Sequence, residues 1–143
     1  MALKFSYAAK VERDEAGFFL VTFPDVPEAG TDGRSRGEAL ADAPDSLVAA
    51  LGGYVLAGKP LPMPSNRSGP RVDLPPLIVA KLALYKTMRD LRITPAALAK
   101  RLGISTATGR RLIDLDHRTP IALVERALAD LGKRVVAEIH DAA

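Results

Sequence analysis

The stretch that most constrains this chain is TPAALAKRLGISTATGRRLIDLDHRTP, residues 94–120. Thr94 suits an N-cap, and Pro95 suits the first helical position, where a missing N–H costs little. Leu98, Ala99 and Leu102 then recur at helical spacing, giving one apolar face. Gly103 ends that helix, because glycine readily takes the left-handed conformation just past a C-cap. Ser105 caps a second short helix, expected over residues 106 to about 115. Two short helices joined by a glycine-containing turn of three or four residues make a helix-turn-helix. The second helix carries Arg110 and Arg111 beside the small residues Thr106, Ala107, Thr108 and Gly109. Small side chains let a helix lie close to a major groove, and arginine donates two hydrogen bonds to guanine. The alternative is an αα-hairpin with solvated arginines. Turn chemistry, helix length and the basic second helix together favour the DNA-reading version.

Within this motif the candidate DNA-binding residues are Ser105, Thr106, Ala107, Arg110 and Arg111, with Arg110 the expected base reader. Positions 106, 107 and 110 share an outward face, while Leu112 and Leu115 anchor the helix. Lys100 and Arg101, at the end of the first helix, are candidates for phosphate contact or plain solvation. His117 and Arg118, in the DHRT segment, are placed in the same way against a phosphate or in water.

Composition narrows the class. With no Trp and only 5% aromatic residues, stacking on single-stranded bases is not the main trade. The absence of cysteine removes disulfides, thiolate catalysis and cysteine-based zinc sites. The start, MALKFSYAAK, alternates instead of forming an apolar signal region, and no run approaches membrane-spanning length, so a cytoplasmic protein with no membrane partner is expected. The net charge of +3 is unevenly distributed. Residues 1–70 hold 7 basic against 9 acidic side chains, and residues 71–143 hold 13 against 8. A basic half beside an acidic half suits two partners of opposite charge, nucleic acid and a basic protein.

Taken in order, the chain reads as α+β. Residues 3–12 alternate with period two, as a half-buried strand does. DEAG is a polar turn, and residues 18–23 are a second strand rich in aromatic and β-branched side chains. Pro24 and Pro27 end it. Residues 29–33 form a third, edge strand. Ser35 with Glu38 three residues on is a capping box. Leu40, Ala43, Leu47, Leu51 and Tyr54 carry a helix to about residue 57. Pro44 inside it removes the bond to the Leu40 carbonyl and is expected to kink or split it. A proline- and glycine-rich connection over 58–70 precedes a short strand at 71–74. The N-terminal unit is thus a β-β-β-α-β sheet with one helix. Pro76 opens a helix to about residue 91, with Leu84, Met88 and Leu91 on one face and Lys81 on the same path. A last helix, over Ile121, Val124, Leu128 and Leu131, ends at Gly132.

The segments GFFLVTFPDVPEAGTDG and EALADAPDSLVAAL resemble the N-terminal domain of HicB antitoxins. RRLIDLDHRTPIALVERALADLGKRVV resembles the C-terminal DNA-binding part of HicB proteins of the helix-turn-helix type. FPDVPEAGTDG and LGKR are the specific parts, and Pro44 departs from the family's usual helix. The resemblance implies a partial RNase H-like N-terminal domain, residues 1–70, that binds and blocks a small basic HicA ribonuclease. It implies a C-terminal helix-turn-helix domain, residues 71–143, that binds the operator of its own operon. A free-standing helix-turn-helix regulator with a ligand-sensing N-terminal domain is the rival reading.

An RNase H-like sheet raises the question of nuclease chemistry, which needs several carboxylates around two metal ions. Glu12 stands only at a strand end, and Asp14, Glu15, Asp25, Glu28 and Asp32 lie in turns, so no catalytic residue is assigned. His117 and His140, the only histidines, are 23 residues apart with no cysteine nearby, so neither a metal site nor a cofactor is expected. Residues 133–140, KRVVAEIH, read as a C-terminal strand without a partner in its own domain. An unpaired edge invites pairing with a second copy, which points to a homodimer or a higher even oligomer. Two recognition helices about 34 Å apart then read successive major grooves.

Overall fold

The computed structural model describes residues 2–142; Met1 and Ala143, the outer ends of the two expected domains, lie outside them. The chain divides into two compact units, Met1–Pro75 and Pro76–Ala143. The division falls at Pro75 and not after residue 70, because residues 71–73 complete the first unit's strand pairing. The charge asymmetry survives the shift: the first unit has 8 basic and 10 acidic residues, the second 12 and 7.

In the first unit the long strand expected over residues 3–12 is two strands. β1 (Ser6–Ala8) pairs antiparallel with β5 (Arg71–Asp73), and β2 (Lys10–Arg13) pairs antiparallel with β3 (Phe19–Thr22). The break is at Ala9, whose amide donates to the Pro70 carbonyl at 2.8 Å. Gly69 makes that approach possible. Its φ is +123°, and a Cβ there would collide with the Ala9 carbonyl. β3 also pairs with β4 (Gly30–Gly33), so the second sheet runs β2-β3-β4.

Pro44 splits the helix as expected. α1 (Arg36–Ala41) ends before Asp42, and α2 (Ala43–Leu56) begins there with the proline in its first turn, where its missing donor costs nothing. The Ser35 hydroxyl caps α1 by accepting from the Glu38 amide at 3.1 Å. Ala39, Ala43, Leu47 and Leu51 bury the inner face of this helix pair, and Tyr7, Val21, Phe23 and Val26 are buried in the strands and the turn after them. Two close contacts lock α1 and α2 to β4. A Cβ on Gly33 would stand 2.6 Å from the Ala39 amide nitrogen. The Ser46 hydroxyl accepts from the Gly30 amide at 2.7 Å and donates to its carbonyl at 3.0 Å. The segment FPDVPEAGTDG therefore carries the β3–β4 turn and the seat of α1.

The second unit is helical: α3 (Pro76–Leu91), α4 (Pro95–Leu102), α5 (Thr106–Arg111) and α6 (Ile121–Asp130). Ala80, Leu84, Met88, Leu98, Leu102, Leu112, Val124, Ala127 and Leu128 form one core. Leu91, expected on the buried face of α3, is 53% exposed. α3 ends at Leu91; the next residue, Arg92, takes φ +56°, and the returning chain brings Ile93 to the core in its place. Residues 133–142 carry no strand. Strand hydrogen bonds need a second edge, and the segment finds none within its own unit. Val136 and Ile139 stand 72% and 96% exposed.

Candidate functional site

α4 and α5 are joined by Gly103, Ile104 and Ser105. Each end of the turn has the chemistry the sequence offered. The Thr94 hydroxyl accepts from the Ala97 amide at 3.1 Å, Gly103 sits at φ +68°, and the Ser105 hydroxyl accepts from the Thr108 amide at 3.1 Å. Gly109 faces inward, not toward a groove. A Cβ there would lie 2.8 Å from the Pro95 carbonyl oxygen and 2.9 Å from the Ala99 Cβ, so glycine lets α5 lie directly on the start of α4.

The expected recognition helix ends earlier than residue 115. α5 closes at Arg111 with Leu112 as its C-cap; Leu112 is fully buried and Leu115 half-buried. With that anchor inside, Thr106, Ala107, Arg110 and Arg111 are exposed, as are Ser105, Lys100 and Arg118. Ser105 also donates to Thr108 Oγ1 at 2.9 Å, so its hydroxyl is committed to the cap. Arg101 is occupied: its Nε donates to Asp130 at 2.7 Å, tying α4 to the end of α6. His117 is half-buried, with Nδ1 3.0 Å from Thr119 Oγ1. The chain thus gathers Thr106, Ala107, Arg110 and Arg111 on one exposed helix. It returns His117 and Arg118 to the end of that helix through Thr119, which donates to the Arg111 carbonyl at 3.1 Å.

One residue of this arrangement was not assigned a role from sequence. Lys81, on α3, has no solvent-exposed surface. Its ammonium donates to the carbonyl oxygens of Arg111 at 2.9 Å, Asp114 at 2.7 Å and His117 at 2.6 Å, and to Thr119 Oγ1 at 2.8 Å. Burial pushes its pKa below the ordinary lysine value, against the pull of the Asp114 carboxylate. The signal in the sequence was its position: four residues after Leu77 and three before Leu84, on the stripe that faces the core.

In the first unit four of the six flagged acids have structural partners. Asp14 accepts from the Phe18 amide at 2.8 Å and closes the β2–β3 turn. Asp25 accepts from the amide and hydroxyl of Ser65 and from Arg67 Nε at 3.0 Å, which holds the 58–70 connection. Glu28 accepts from the Tyr54 hydroxyl at 2.6 Å, and Glu12 pairs with Lys10 at 2.7 Å. Among the described residues no three His, Cys, Asp or Glu side chains cluster in a way that would hold a metal ion.

Residues 6–83 match the model of a family described as the HicB-like antitoxin of bacterial toxin–antitoxin systems, a little over half the chain. The chain belongs to the HicB-like antitoxin family. The match spans the first unit and the opening of α3. Similarity to individual family members runs further. Antitoxin HicB 2 of Photorhabdus laumondii is 40% identical over 94% of this chain and 96% of its own length. Antitoxin HicB of Pseudomonas fluorescens is 33% identical over 99% and 98%. Antitoxin HicB of Escherichia coli K12 is 34% identical over 83% and 88%. The chain is thus similar to whole antitoxins, both units included. Among the described residues no helix is long and apolar enough to cross a membrane.

Proposed function

We propose that the chain is an antitoxin that neutralises a small basic ribonuclease of the HicA type and represses its own operon. The first unit, with its acidic surplus, takes the toxin. The second, with 12 basic against 7 acidic residues, takes double-stranded operator DNA. The observation that carries the DNA half is α5 itself: one face packed on α4 through Gly109, the other presenting Thr106, Ala107, Arg110 and Arg111. Arg110 reads a base, and Arg111, Lys100, His117 and Arg118 lie where phosphates run. Ser105 caps the helix and contacts DNA through what its cap leaves free. Family membership supports the toxin half. The chain acts by binding and not as an enzyme, in the cytoplasm, without a cofactor. It works as a homodimer or higher even oligomer, since paired recognition helices suit a palindromic site.

Co-expression with the product of a short, basic reading frame beside this one tests the reading. The two proteins are expected to co-purify, and this chain is expected to restore growth to cells producing the other. A free-standing, ligand-sensing regulator does neither.

A further inference from the structure

We infer that Lys81 is a positioning residue for DNA binding: one buried ammonium sets both where α5 ends and where His117 and Arg118 stand. The inference rests on the DNA-binding reading above and extends it to a residue that touches no DNA. α5 has only six residues. Its last carbonyls, those of Gly109, Arg110 and Arg111, accept long turn bonds of 3.3 Å from the Leu112, Ile113 and Asp114 amides, and they form the negative end of its dipole. The loop over residues 112–119 adds two more inward-turned carbonyls, those of Asp114 and His117. An ammonium has three donors and a positive charge. Placed among four oxygens at 2.6–2.9 Å, it satisfies helix end and loop together.

Thr119 completes the clamp. Its hydroxyl accepts from Lys81, donates to the Arg111 carbonyl and lies 3.0 Å from His117 Nδ1. Around it the backbone is closed as well: the His117 amide donates to the Asp114 carbonyl at 3.2 Å and the Thr119 amide to the His117 carbonyl at 3.0 Å. The neighbours of Lys81 along the α3 stripe, Leu77 and Leu84, are apolar and pack in the core, so packing alone would be served by methionine. What the charge adds is a fixed relation between the base-reading helix and the phosphate-facing loop.

Lys81→Met and Thr119→Val in the full chain test this, with Thr119→Ser as the conservative control. The readings are binding to a duplex carrying the DNA upstream of the chain's own reading frame, its salt dependence, and amide exchange over residues 112–119. The folded Lys81→Met protein is expected to lose about tenfold or more in affinity. Its slope of log affinity against log salt is expected to fall by about one to two, as phosphate contacts from His117 and Arg118 are lost. Its loop amides exchange faster, Thr119→Val moves in the same direction, and Thr119→Ser stays near the parent. A folded Lys81→Met protein with parental affinity and slope overturns the inference. If Lys81→Met does not fold, Thr119→Val decides by the same readings. A parent chain that ignores the duplex overturns the DNA-binding reading as well, whereas a parent that binds beside unaffected variants overturns this inference alone.

Discussion

At the scale of single residues, the chain uses glycines and a few polar side chains where two backbones must meet. Gly109 is the sharpest case. Alanine there would gain about 1 kcal/mol of helix propensity. The new methyl would also press on the Pro95 carbonyl and the Ala99 Cβ, both under 3 Å away. Overpacking of this kind costs about 1–3 kcal/mol. Gly109→Ala is therefore expected to lower the melting temperature of the second unit; a more stable variant would mean that α4 and α5 are not in close contact. Asp25 is a test by pH. The Ser65 amide first, then the Ser65 hydroxyl and Arg67, hold its carboxyl below the usual value of 3.8. A depressed carboxylate contributes stability above its unfolded pKa and loses it as pH falls through the folded one. Asp25→Asn is expected to cost about 1 kcal/mol near neutrality, since hydrogen bonds to an ionised group are the stronger ones and exposure weakens them. In denaturant melts the gap between parent and variant should close on acidification below the ordinary carboxylate range. A gap that widens in acid contradicts the assignment.

At the scale of elements, local chemistry was legible where it is decided locally. The caps at Thr94, Ser35 and Ser105, the stop at Gly103 and the split at Pro44 all depend on residues within one turn of each other. What was not legible depends on distant partners. Residues 3–12 alternate as one strand, yet the approach of Gly69 and Pro70 breaks them at Ala9. α5 continues to residue 115 by pattern, yet Lys81 and Thr119, from either side in sequence, take its terminal carbonyl at Arg111. Gly109 read as a groove-facing small residue because nothing in the sequence says which side of a six-residue helix meets α4. The segment over residues 133–140 has strand-forming alternation, and its strand would form only against a partner edge. Removing residues 133–143 is expected to convert the proposed dimer to a monomer by mass in solution at low micromolar concentration. A truncated chain that stays fully dimeric there places the interface elsewhere.

At the scale of the whole molecule, the proposed division of labour falls between two units with opposite charge balance, separated at Pro75 and Pro76. The family match covers the first unit, and the relatives' similarity covers both. If one unit takes the toxin and the other takes DNA, a change confined to α5 separates the two activities. Arg110→Ala in the full chain makes that separation, because Arg110 is exposed and is not part of the clamp built on Lys81. Loss of one bidentate base contact costs about 1–3 kcal/mol of discrimination. The direct measurement is made in one strain carrying the toxin gene and a reporter driven by the operon's own promoter, with growth and reporter output read together. For Arg110→Ala a derepressed reporter and undiminished growth are expected. A variant that still represses like the parent, or one that no longer protects the cells, contradicts the division of labour.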